Sequence, residues 1–459
     1  MPFSLPRIAN EAPEGLSRLS AGSSARTQTV IREMLSGHRG TMRSLFALAG
    51  PAIVASVAYV DPGNYVTNIQ AGARYGYALL WVVLLANLIA MVFQGLSARV
   101  GIVTGRNLAE LCRERYPHRT VIAMWLASEF AAIATDLAEF VGGAIGLSLL
   151  IHIGLLPAMG IVGVLTFLLL GLQSRGFRPV ELVIAGLVAV ISLAYLAELF
   201  IAPPRWGEAL HGLVTPRLPD SGALGLAIGI VGATVMPHAI FLHSSLTQDR
   251  VLLRNDAERR RLVYFSNGEV LIALSMAGLV NMAMVAMASS FHHSGHPEVA
   301  DLASAYRTLT PLLGASAGIL FLVSLLAAGL SSSMVATMAG QVVMQGFIGR
   351  AIPLWLRRSV TMLPSFVIIG LGVDPTWALV ASQVVLSFVL PLPMITLLAI
   401  SRDRSVMGDF RLKARGYAIS LAMVVIVLGL NTALLAQTFN LLPGNPVPAT
   451  APSATVSRG

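Results

Sequence analysis

The chain has 459 residues, of which 55% are hydrophobic and 12% charged, with a mean hydropathy of +0.75. Soluble domains carry about a quarter charged residues, so this composition excludes an ordinary soluble globule as well as a disordered or collagen-like chain. One cysteine, Cys112, excludes an internal disulfide framework and a Cys-rich zinc site, and a net charge of +9 raises nucleic acid as a partner.

Residues 1–44 carry Arg7, Arg18, Arg26, Arg32 and Arg39 among Ser, Gly and Pro, without the apolar stretch of a signal peptide. They are expected to form a disordered cytoplasmic tail. Apolar spans follow at about 45–73, 77–101, 120–151, 156–173, 178–202, 222–248, 262–291, 309–347, 354–372, 376–400 and 416–441. Many exceed the roughly 18 residues that mark a membrane-crossing helix. The expected class is an all-α integral membrane protein with 11 transmembrane helices and one transmembrane domain over 45–441. Residues 442–459 are left as a short external tail.

With the N-terminus inside, 26 of the Lys and Arg residues fall in cytoplasmic segments and five outside. That split follows the positive-inside rule. It assigns the net charge to orientation in the lipid bilayer rather than to nucleic acid, and no stacking aromatics interleave the basic runs. The count of spans puts the C-terminus outside, in a multi-pass protein of the cell (inner) membrane.

Polar residues inside the spans carry the functional information, because an ionised side chain there costs roughly 2.5–3.5 kcal/mol. Span 1 contains Asp61-Pro62-Gly63-Asn64. Pro62 lacks a backbone donor and Gly63 is a poor helix former, so the helix is expected to break there. A break at membrane depth must face protein or a cavity. Span 3 carries Glu129, Asp136 and Glu139 within a narrow arc of one helix face, over roughly 15 Å of axis. Such a stripe reads as a proton relay, or as structural ion pairs with Arg357 and Arg358 at the start of span 9.

Span 6 repeats the break at Met236-Pro237-His238. Five spans separate the two breaks, so the segments cross in opposite directions, the pattern of inverted repeats with discontinuous first helices. The repeats would run over about 45–202 and 222–400, with 416–441 additional. Asp61 and Asn64 offer oxygens and Met236 a thioether, a donor set that favours a softer transition metal over Mg²⁺ or Ca²⁺.

These motifs identify the chain as a resemblance to the Nramp family of proton-coupled divalent metal transporters. The matching stretches include Asp61-Pro62-Gly63-Asn64, Met236-Pro237-His238, Thr104-Gly105-Arg106-Asn107, Asp136-Leu137-Ala138-Glu139-Phe140 and Ala339-Gly340-Gln341. The departures are Ala239-Ile240 after the histidine, where many members have Asn-Leu, and Leu330 where many have Gln. The resemblance implies a LeuT-like fold of two inverted five-helix repeats and proton-coupled import of Mn²⁺ and Fe²⁺. It implies Asp61, Asn64 and Met236 as side-chain ligands, joined by the backbone carbonyls of Ala58 and Ala233. It further implies that Gln383 in span 10 helps close the outer side, and that protons pass from Asp61 through His238 and Glu139.

His238 can exchange protons near neutral pH, and His243 ranks below it. His292, His293 and His296 form an outer-loop cluster that would hold metal at the entrance or simply be solvated. Glu269, Asn281, Asn87 and Gln94 read as interhelical hydrogen-bonding residues. Divalent metal ions and protons are the expected partners, as substrates. No resident cofactor, nucleic acid or obligatory protein partner is expected. A LeuT-like amine or amino-acid symporter would want a carboxylate-binding pocket instead, and a membrane hydrolase a His-Glu-x-x-His site, which does not occur. The chain therefore reads as a transporter and not an enzyme.

Overall fold

The computed structural model describes residues 50–438 apart from 173–176, 249, 252, 300 and 351, together with Arg32. The expected tails, 1–44 apart from Arg32 and 442–459, lie outside the described residues. Those residues form helices and no strand. The first half comprises α1 (Gly50–Val57), α2 (Pro62–Tyr75), α3 (Leu80–Thr104), α4 (Leu108–Arg115), α5 (His118–Ile151), α6 (Leu155–Gly171) and α7 (Phe177–Ile201). After α8 (Trp206–Val214), the second half runs through α9 (Ser221–Thr234), α10 (Pro237–Thr247), α11 (Asp256–His293), α12 (Leu302–Leu313), α13 (Ala315–Ile348), α14 (Leu354–Gly370), α15 (Pro375–Val389) and α16 (Pro391–Arg402). A short α17 (Arg404–Met407) leads to α18 (Ala414–Thr438).

Among the described residues eight helical stretches are long and apolar enough to cross a membrane: α3, α5, α7, α9 with α10, α11, α13, α15 with α16, and α18. Three of the expected spans fall outside that count for local reasons. The first is divided into α1 and α2, of 8 and 14 residues. The fourth is α6, with 17 residues, and the ninth is α14, also 17, which carries the buried Arg357 and Arg358. Polarity is arranged inside out. Phe200 and Leu371 are 80% and 78% exposed, whereas Asp61, Asn64 and Glu139 are fully buried. Lipid covers such a rim without cost.

The core is built on α5 packed along α13. Gly143 and Gly329 meet backbone to backbone, and a Cβ on Gly329 would collide with Gly143 Cα. Small residues at such a crossing let two membrane helices approach closely. Helix α2 lies against α11, α9 against α15, and α10 against α3 and α13. Gly142 of α5 packs directly on Pro62, which sets the α5 carboxylate stripe beside the break in the first span.

Candidate metal site

The first break occupies Ala58–Asp61, just before the proline rather than at it. Pro62 starts α2, where its missing N–H would have no helical partner anyway. Asp61 is the N-cap: Oδ2 accepts from Gly63 N–H at 3.1 Å and Oδ1 from Asn64 N–H at 3.0 Å. The sequence signal, Asp before Pro at a helix start, is a cap signature as much as a ligand signature. The second break is built alike. Met236 is the N-cap residue of α10 and Pro237 its first position, but no side chain caps this helix.

The two breaks touch. Asn64 Nδ2 donates to Asp61 Oδ1 at 2.6 Å and to the Ala233 carbonyl at 3.1 Å, while Thr234 Oγ1 donates to Asn64 Oδ1 at 2.9 Å. Asp61, Asn64, Met236, Ala58 and Ala233 are each 0% exposed. Asn64 thus joins Asp61 to Ala233, with Met236 three residues further along the chain. Thr234 went unnoticed in the sequence, since a lone threonine in an apolar span carries no signal until its partner is known. Gln383 of α15 is fully buried and packs on Gly63, where any Cβ would collide with its carboxamide. It also donates to Ser382 Oγ at 3.1 Å. Gln383 therefore lies between α15 and the N-terminus of α2, beside the metal-ligand candidates.

The α5 stripe divides in two. Glu129 forms a bidentate pair with Arg357, at 2.9 and 2.8 Å, and accepts from Trp125 Nε1 at 3.0 Å. Asp136 pairs with Arg358 at 2.6 Å; Arg358 also donates to Ser333 Oγ at 2.8 Å and is fully buried. Glu139 is fully buried and neither oxygen has a well-formed hydrogen bond, although Ser332 lies beside it. Glu129 and Asp136 are therefore each ion-paired, whereas Glu139 has no ion-pair partner among the described residues.

His238 Nδ1 lies 3.3 Å from Thr135 Oγ1 on α5, one helical turn before Glu139, and its Nε2 has no partner. Thr135 joins the histidine to the stripe and was not legible as such. His243 Nδ1 contacts Gln94 Oε1 at 2.7 Å, and Gln94 Nε2 donates to Tyr59 OH at 2.5 Å, a buried hydrogen-bonded chain. Asn281 donates to the Tyr59 carbonyl and accepts from Asn68, as an interhelical residue does. The loop histidines each have their own partner: His292 and His293 meet edge-on with ring centroids 5.6 Å apart, but His292 contacts the Ala73 carbonyl, His293 contacts Glu208, and His296 contacts Glu298. Among the described residues no three His, Cys, Asp or Glu side chains converge as a metal cage. The donor set at the breaks is instead carboxylate, amide, thioether and carbonyl.

Residues 52–437 match the family described as natural resistance-associated macrophage protein-like, Nramp. The chain belongs to the Nramp family. A divalent metal cation transporter MntH of Acidiphilium cryptum is 59% identical over 426 residues, covering 92% of this chain and 98% of that protein. The protein of the same name from Deinococcus radiodurans is 50% identical over 400 residues, covering 87% and 91%. Among solved structures, the Eremococcus coleocola manganese transporter superposes with a TM-score of 0.78 at 32% identity, covering 87% of this chain and 88% of that one. A nucleobase-cation-symport-1 family transporter, at 15% identity and a TM-score of 0.55, shares the fold alone. The chain is accordingly an α-helical, multi-pass membrane transporter of the Nramp family and not an enzyme.

Proposed function

We propose that this protein imports divalent transition metal ions, chiefly Mn²⁺ and also Fe²⁺, together with protons, by alternating access. In this reading eleven helices cross the membrane in LeuT-like inverted repeats, with the N-terminus cytoplasmic and the C-terminus outside. The similarity to the nucleobase-cation transporter and the two matched breaks support the repeats. The 26-to-5 charge split supports the orientation.

The observation that carries the reading is the Asn64 bridge from the first break to the Ala233 carbonyl of the second. It brings a carboxylate, an amide and a carbonyl from the last turn of α9 to one buried point, with a thioether three residues on. Asp61, Asn64 and Met236, with the Ala58 and Ala233 carbonyls, are the proposed ligands. A lone carboxylate leaves a divalent ion incompletely neutralised, which suits cargo that must leave again. The sulfur contributes little to Mn²⁺ affinity but disfavours Ca²⁺ and Mg²⁺.

An arriving cation exchanges for the N–H donors that now occupy Asp61 and releases any proton the carboxyl holds. His238, through Thr135, and then Glu139, Asp136 and Glu129 with Arg357 and Arg358, form the proposed route for that proton. Gln383, seated on Gly63, would close the outer side by following α2. Because both breaks belong to one site, binding biases both halves of the molecule at once. Mn²⁺ uptake and internal acidification measured in the same proteoliposomes test the function. Uptake of an amino acid without metal uptake would refute it.

A further inference from the structure

Among the buried carboxyls outside the breaks and the α5 stripe (Glu181, Glu198 and Glu269), Glu198 is the most deeply buried. Glu198 stands on α7, three residues before the helix ends at Ile201, about one helical turn from its end. It is 1% exposed, and neither carboxyl oxygen has a hydrogen-bond partner. The neighbouring positions Leu196 and Phe200 point outward, 52% and 80% exposed, so α7 turns this one acid inward while its apolar side meets lipid.

Its surroundings lead toward the breaks. Tyr195, three residues earlier on the same face, is 1% exposed, and its ring meets that of Tyr65 edge-on at 5.6 Å. Tyr65 directly follows Asn64 and packs 6.0 Å from Phe321 of α13. Neither tyrosine hydroxyl makes a well-formed hydrogen bond, although Ser324 of α13 lies beside both. Both phenols sit within electrostatic range of Glu198.

Among the described residues no ion pair offsets the acid. Helix α1 contains no ionisable residue, and α13 presents Ser324 and Phe321. On α11, Glu269 lies toward the other end, and His292 and His293 are engaged by Ala73, Ser289 and Glu208. A carboxylate ionised here would be buried with no cation or hydrogen-bond donor bound to it, which a low-dielectric interior disfavours, so the neutral acid suits the closed site. Intramembrane acids are expensive and are kept where they act.

We propose that Glu198 is a proton-binding site on the outer side of the metal site, loaded from the external solution and separate from Asp61 and the α5 carboxylates. This inference rests on the proposed orientation and proton coupling. When the outer side opens to water, the carboxylate takes a proton from hydronium and leaves water. On closure the neutral acid is the species that the buried, uncharged surroundings favour.

The test is Glu198→Gln in proteoliposomes and in detergent. The isosteric amide is expected to keep Mn²⁺ binding within about twofold and to remove one protonated-carboxyl band from the pH-difference infrared spectrum. The ratio of Mn²⁺ uptake at acidic and alkaline external pH is expected to fall by about tenfold, the effect of one pKa unit of lost coupling. Glu198→Asp keeps a titrating group and should shift that profile rather than flatten it, which decides the matter if the amide variant folds poorly. An unchanged infrared band, an unchanged external-pH profile, or a loss of uptake by the same factor at every pH would each overturn the proposal. If the wild type moved Mn²⁺ without protons, the proton-coupled function would fail, while the infrared band would still decide whether Glu198 binds a proton.

Discussion

The two helix breaks use the same local sequence device but end differently. In each, proline takes the first position of the helix that follows, so the missing N–H costs nothing and the chain before it is free to unwind. The first break is closed by Asp61, whose carboxylate accepts from Gly63 and Asn64. The second has Met236 at the equivalent position and no side-chain cap at all. One residue therefore caps a helix as well as being a proposed charged ligand, whereas the other is a proposed ligand with no capping bond to make. Losing Asp61 should disturb structure and function together, and losing Met236 should change selectivity with the cap unaffected.

The largest effect is expected at Asp61. Asn caps helices as well as Asp does, so Asp61→Asn should preserve α2 while weakening Mn²⁺ binding by at least about 100-fold, roughly 2.7 kcal/mol. Asp61→Ala removes the cap as well and should lower stability by a further ~1 kcal/mol. Calorimetric titration and thermal melts of the two variants separate the roles. Equal melting temperatures would mean the cap contributes nothing.

The buried ion pair offers the next test. Arg358→Gln strands Asp136 in the core and should cost about 3–5 kcal/mol. Adding Asp136→Asn should recover at least ~1 kcal/mol of that, because the uncompensated charge is gone. Strict additivity in denaturation would remove the pair from the account of α5 and α14. Glu139→Gln, on the same helix but without an arginine partner, should leave stability and Mn²⁺ affinity near the parent values and weaken metal-coupled proton influx. If coupled influx survived unaltered, the α5 stripe would be structural throughout.

A smaller change is expected at the second break. Met236→Ala should retain Mn²⁺ uptake but lose discrimination against Ca²⁺ by about tenfold, or ~1.4 kcal/mol. Competition uptake at excess Ca²⁺ reads this ratio independently of how much protein is folded. Parental exclusion of Ca²⁺ would make the sulfur a packing group.

The smallest effect concerns a cap at the other end of the same span. Asp220 accepts from Tyr75 OH at 2.6 Å and from Ala223 N–H at 2.8 Å, and these bonds hold its carboxyl below the usual carboxylate range. A depressed carboxyl contributes its stability above the ordinary carboxylate pKa and loses it as pH falls through the lower folded-state value. Asp220→Ala should therefore cost about 0.5–1 kcal/mol at neutral pH and nothing in strong acid. Melts at the two pH values give the comparison.

By itself the sequence determined the membrane class, the two breaks, the polar residues within them and the spacing of the α5 stripe. Each of these is a local property: hydropathy over a span, a proline at a helix start, a repeat along one helix face. The pairing of partners was not local. That Asn64 reaches Ala233, that Thr234 completes the bridge, and that Thr135 sits against His238 depend on helices more than a hundred residues apart. The Gly143–Gly329 crossing brings α5 to α13, and Arg357 and Arg358 of α14 then reach Glu129 and Asp136, so two of three similar carboxylates are neutralised and Glu139 is not. Nothing in the spacing of three acids along a helix distinguishes them. Their different charge environments arise only when a second helix supplies, or fails to supply, the counter-charge that a low-dielectric interior demands.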